Sequence, residues 1–194
     1  MTTQPEETPR QRTTAPNHVY YFDIGTGVWR GTASFRVTDW RLFLRSRIGL
    51  KNKLLAASMH AVERLTGMPR QESTIVAKPE VGEFGRADNV VRISKFGVTL
   101  YLLEEQYVLH RDGIGVTING KEQLGPVPRL LTRTFTYTAQ IRDEGMAATY
   151  QMPLLGADWT ADYQVTPDRR SLSAVLVCAW GRAAEDTRLI SKPA

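Results

Sequence analysis

Glu104, Glu105, Tyr107, His110 and Asp112 are the residues of this chain whose types and spacing could move a proton. A histidine beside a tyrosine and a carboxylate is fit to act as general acid or base toward a bound carbonyl or polyene. In an extended strand, alternation sets His110 on the side of Leu100, Leu102 and Val108, opposite Tyr107. The plainer reading is a strand-end histidine without a chemical duty. The same alternation points one of Glu104 and Glu105 inward among apolar residues. A buried carboxylate is costly unless paired, so that glutamate is a candidate polar anchor with an Arg or Tyr partner. The alternative is a strand exposed on one side and bulged at the pair. Glu105, Tyr107 and His110 are therefore the candidate catalytic residues.

Other chemistries lack their residues. His18, His60 and His110 lie far apart, and the chain has neither His-x-x-x-His nor Cys-x-x-Cys, so no metal site is expected. There is no nucleophile elbow, no phosphate-cradling Gly-x-x-x-x-Gly-Lys loop and no dinucleotide fingerprint. Hydrolase, kinase and nicotinamide-dependent activities have no support, and no cofactor is expected.

The elements that must position such residues fit one domain of 194 residues, with 42% hydrophobic and 23% charged residues. Residues 1–17, rich in Thr, Pro, Gln and Glu, read as a disordered tail rather than a secretion signal, ahead of a single domain over residues 18–194. The single cysteine, Cys178, excludes an internal disulfide and reads as a buried small hydrophobe. A cytoplasmic protein is the expectation. The net charge of +5 is concentrated in residues 41–70, where Arg41, Arg45, Arg47, Lys51, Lys53, Arg64 and Arg70 face only Glu63, a local net of +6. Nucleic-acid binding is not expected, because the rest of the chain has no basic stripe with stacking aromatics.

From Val28, the residues Trp29, Gly31, Ala33, Phe35 and Val37 alternate with polar ones, the pattern of a strand. Asp39 can cap a helix starting near Trp40. Over residues 46–65, Leu50, Leu54, Ala57, Ala61, Val62 and Leu65 recur at helical spacing, with Lys51, Lys53, His60, Glu63 and Arg64 off the stripe. Gly49 divides or weakens this segment, and Gly67 followed by Pro69 stops it. Such a helix can lie on an anionic membrane surface or gate a cavity. Alternatively it packs its leucine stripe over the barrel and leaves its charges in water.

Strands are expected over 73–78, 89–95, 98–111, 115–119, 133–142, 146–152, 158–165 and 171–182. Turn residues separate them, notably Phe96-Gly97, Asp112-Gly113, Asn119-Gly120, Asp143-Glu144-Gly145 and Thr166-Pro167-Asp168. Consecutive hairpins on this scale close into a barrel, which removes unpaired edges. The fold expected is all-β, an antiparallel up-and-down closed barrel with a helical insertion over about residues 40–68, after the first strand. Phe135, Tyr137, Ala139 and Ile141 share a face, as do Ala148, Tyr150 and Met152, and Trp159, Ala161, Tyr163 and Val165. Tyr101, Phe135, Tyr137, Tyr150, Met152, Trp159 and Tyr163 are the candidate ligand-binding residues. A barrel of this kind is either filled by its side chains or left with room for one small ligand.

Three motifs in order give the chain a resemblance. Gly27-Val28-Trp29 resembles the first-strand Gly-x-Trp motif of the lipocalins. Thr160-Ala161-Asp162-Tyr163 is similar to their Thr-Asp-Tyr motif with one residue intruding, and Trp180-Gly181-Arg182 resembles their late-strand arginine motif. The resemblance implies a lipocalin-like (calycin) barrel whose base is closed by Arg182 across the Trp29 indole, and a ligand cavity under the helical lid. The expected function is binding of a small hydrophobic molecule such as a lipid, isoprenoid, polyketide or pigment. The rival is a cofactor-independent isomerase or cyclase that folds an apolar substrate in a dry pocket.

Overall fold

Alternation in the sequence becomes inside and outside in the structure. In the computed structural model, which describes residues 26–78, 85–110, 115–125, 132–142 and 147–191, ten strands follow one another. They are β1 (Gly27–Val37), β2 (Arg70–Lys78), β3 (Arg86–Lys95), β4 (Val98–Leu109), β5 (Gly115–Leu124), β6 (Thr132–Arg142), β7 (Ala147–Leu154), β8 (Ala157–Val165), β9 (Ser171–Cys178) and β10 (Gly181–Ser191). Each pairs antiparallel with the next, and β1 pairs with β10, which closes an up-and-down barrel. Between β1 and β2 lie helices α1 (Trp40–Arg45) and α2 (Leu50–Thr66). The tail, His18, Asp112-Gly113 and Asp143-Glu144-Gly145 lie outside the described residues.

Strands β2 and β3 begin three residues earlier than expected, and two other boundaries differ more. Asn119-Gly120 does not turn the chain; β5 runs through it to Leu124. Gly120 sits directly opposite Phe135, and the ring occupies the space a Cβ would take, so the glycine serves close packing rather than a turn. The long strand expected over 171–182 is two strands, folded back at Ala179-Trp180 with Cys178 paired to Gly181. Trp180 is buried at this turn, its carbonyl accepting from the Thr38 and Asp39 amides. Tertiary packing, not turn chemistry, sets this reversal.

Trp29, fully buried, forms an apolar base with Ile75, Val165 and Leu172. Arg182 is not part of it. Trp29 pairs with Leu189, whereas Arg182 is exposed and pairs with Arg36 near the other end of β10. The expected arginine cap on the indole is therefore absent, and Tyr163 and Leu189 pack against the base instead.

Asp39 caps α1 as its sequence position predicts, accepting from the Arg41 and Leu42 amides at 2.8 and 2.9 Å. Gly49 is the N-cap of α2, and Gly67, at φ 79°, ends it with its N–H bonded to Glu63 O. The helix expected from Trp40 is α1, and the helical segment expected over 46–65 starts at Leu50, after Gly49. Its orientation divides the expected stripe, with Ala57 packed on the core and Val62 lining the interior while the leucines turn outward. Ala56 and Glu63 are buried, Leu55 and Met59 pack on the core, and Leu50, Leu54 and Leu65 point to solvent. The reason is backbone chemistry. β2 pairs with β1 only from Gly27 to Thr32, so later β1 amides need other acceptors. Glu63 Oε2 accepts from Phe35 N at 2.5 Å and His60 Nδ1 from Val37 N at 3.2 Å. Polar side chains that complete the β1 edge thereby determine which face of α2 looks inward.

Candidate functional site

Inward positions of neighbouring strands bring together a polar cluster inside an apolar barrel. On β4 the alternation places Tyr101, Leu103, Glu105 and Tyr107 toward the interior and Glu104 toward solvent beside Lys121. Glu105 accepts from Tyr107 Oη and Tyr137 Oη, each at 2.6 Å, and from Asn89 Nδ2 at 3.0 Å. Asn89 stands directly across from Glu105 on β3. The expected polar anchor is thus Glu105, and its partners are tyrosines and an amide rather than an arginine.

Two further carboxylates share this interior. Glu185 of β10 accepts from Gln71 Nε2 at 2.7 Å. Glu122 of β5 lies 3.6 Å from the Arg133 guanidinium and 3.5 Å from Tyr101 Oη. Burial raises the pKa of Glu105 against the opposing hydrogen bonds from Tyr107, Tyr137 and Asn89. Burial likewise raises Glu185, with Gln71 opposing and Glu105 adding to the shift. Glu122 is pushed up to about 7 by burial, which Arg133 and Tyr101 only partly offset. Burial first, then Glu122, Glu105 and Glu185, hold the Tyr101 phenol well above its ordinary value, so this hydroxyl stays protonated. Among the described residues no Lys or Arg pairs with Glu105 or Glu185, and Asn89 Oδ1 and Gln71 Oε1 have no hydrogen-bond partner.

A cavity of about 90 Å³ remains between this cluster and α2. Ser73, Asn89, Glu105, Tyr107 and Glu185 give it polar walls, Phe35, Tyr150, Met152, Ala174 and Leu176 apolar ones, and Met59, Val62 and Glu63 of α2 its roof. It exceeds the space of one water and falls short of the roughly 300 Å³ of common small-molecule sites.

Of the candidate residues, Tyr101, Glu105, Tyr107, Tyr150, Met152 and Tyr163 line this cavity. Tyr137 stands behind it, stacked between Phe135 and Tyr150 at centroid distances of 5.6 and 5.3 Å, and reaches the site through its bond to Glu105. Trp159 belongs to an aromatic cluster with Phe35 and Trp180, its indole N–H donating to Leu154 O at 2.9 Å. His110 is a strand-end residue bonded to Thr117 Oγ1 at 2.6 Å, apart from Glu105 and Tyr107. Asn89, Glu122 and Glu185 were not singled out by sequence. Alternation through Val116, Ile118 and Gly120 leads to Glu122, and through Gly181 and Ala183 to Glu185, but a turn expected at Asn119-Gly120 and a strand ended at Arg182 break both series.

No group of three or more His, Cys, Asp and Glu among the described residues could hold a metal ion. No helix among them is long and apolar enough to cross a membrane. The chain matches no family model, and no curated protein is similar to it in sequence.

Proposed function

We propose that the protein is a lipocalin-like barrel that binds one small, mainly apolar molecule whose head is a protonated amine or another hydrogen-bond donor. The observation that carries this reading is a pair of carboxyls on the cavity wall. Both Glu105 and Glu185 line the cavity, and among the described residues no Lys or Arg pairs with either. A carboxyl among apolar walls with no cation beside it is poorly solvated, so a donor entering this space gains more than it would from water. Apolar walls contribute the remaining affinity at about 25 cal/mol per Å² before ordering costs. A body larger than the cavity requires α2 to shift, since its inner residues form the roof. Ten strands, against eight in lipocalin barrels, give the wider circumference that the tyrosines partly fill. A cytoplasmic location agrees with the single cysteine.

Chemical-shift titration with n-butylamine, 1-butanol and butyrate tests the reading. The amine should saturate at millimolar concentration and at least tenfold below butyrate. Ala174→Leu, which fills the cavity from its wall, should abolish the response while the fold persists. Lack of saturation by all three probes would overturn it.

The interior also favours a second reading, a cofactor-independent isomerase or cyclase. Glu105, its carboxyl raised by burial and held by two tyrosine hydroxyls, is placed to exchange a proton with an enclosed substrate. A molecule extracted from the protein of its own host would change on standing with it, and Glu105→Gln would stop the change but not the binding. A ligand recovered unchanged leaves carriage as the function.

A further inference from the structure

The outward face of the helical insertion joins two features that soluble surfaces usually keep apart. Leu50, Leu54 and Leu65 of α2 are 73%, 62% and 84% exposed. At 100° per residue they fall within an arc of about 60°. Lys51 borders that arc on one side, Lys53 and Arg64 on the other. Lys53 Nζ ties α1 to this face by donating to the carbonyl of Leu44, itself 66% exposed, at 2.6 Å. At the far end Lys95 Nζ donates to the carbonyls of Thr66, Gly67 and Met68, which brings the β3–β4 turn and its 81% exposed Phe96 to the end of α2.

Charge completes the pattern. Glu63, the only acid of residues 41–70, is turned inward and bonded to Arg36 at 2.9 Å. The outer surface of the insertion thus carries cations without a compensating acid. Like charge opposes a second copy on this face, whereas an anionic interface satisfies leucines and cations together. We propose that this face docks on an anionic lipid bilayer, with the leucines and Phe96 at the acyl boundary and the flanking Lys and Arg among the phosphates.

Co-sedimentation with vesicles of phosphatidylcholine containing about 30% phosphatidylserine tests this, with pure phosphatidylcholine as the comparison. The protein should pellet with the anionic vesicles at least tenfold more tightly. Leu50→Ser, Leu54→Ser and Leu65→Ser combined, and separately Lys51→Glu with Arg64→Glu, should each weaken binding about tenfold without lowering the melting temperature. Absence of binding to anionic vesicles overturns the proposal, as does binding that survives the leucine changes. Self-association that the leucine changes abolish, in a protein that ignores vesicles, assigns the face to a second copy and overturns it equally.

Discussion

The two ends of the barrel are built on opposite principles. At the base, Trp29, Ile75, Val165 and Leu172 fill the interior with apolar side chains. Toward the lid, three glutamates, an asparagine and several tyrosines surround unfilled space. Dense apolar packing supports the closed ring at one end, and that support allows the other end to keep groups that oppose folding. Stability and the proposed ligand chemistry are therefore separable along the barrel axis, and this separation can be tested.

The largest effect is expected at the base. Trp29→Ala should cost about 3–5 kcal/mol and lower the melting temperature by about 10 °C, measured by thermal denaturation. An unchanged melting temperature would remove the distinction. Next comes pH. A carboxyl raised in the folded state binds protons there that the unfolded chain has released, so stability falls as pH rises from the unfolded value of 4.5 through about 7. Glu122 alone should account for about 3 kcal/mol of this loss, and Glu105 and Glu185 act in the same direction. Urea titrations from pH 4.5 to 8 should show it, and Glu122→Gln should flatten the profile; stability rising over that range would show that these groups are better solvated than their burial implies. The smallest effect is expected at Arg182. Exposed and distant from Trp29, its change to Ala should alter stability by no more than about 0.5 kcal/mol in the same denaturation measurement. A loss as large as that of Trp29→Ala would restore the arginine to the base.

Much of the barrel was legible because alternation and Gly-containing turns are local. Phe135, Tyr137 and Ala139 face inward as their spacing predicts, and Asp39 caps its helix. What was not legible depends on partners distant in the chain. The helical periodicity of α2 marks a helix but not which part of its apolar stripe packs: Ala57 and Val62 turn inward, and Leu50, Leu54 and Leu65 face solvent. Only the unmet amides of Phe35 and Val37 make Glu63 and His60 the inward residues. The same holds at Ala179-Trp180, where neither residue is a turn former and burial of the indole dictates the reversal. Within the site, Glu105, Tyr107, Tyr101 and Tyr150 could be found from alternation. Glu122 and Glu185 required strand limits that turn residues alone did not provide.

Strand order has a kinetic consequence. Every pairing but one joins strands adjacent in sequence, whereas the β1–β10 seam joins positions as distant as Val28 and Ser191. Closing so long a segment costs about 2 kcal/mol more in chain entropy than closing a ten-residue hairpin, so the seam is expected to form after the meander. Until it forms, Glu185 and Glu105 face a common solvent rather than a common interior. The cavity therefore comes into being with the last zipped seam, and an occupant that prefers the enclosed state should retard its reopening, a change that amide hydrogen exchange along β1 and β10 would register.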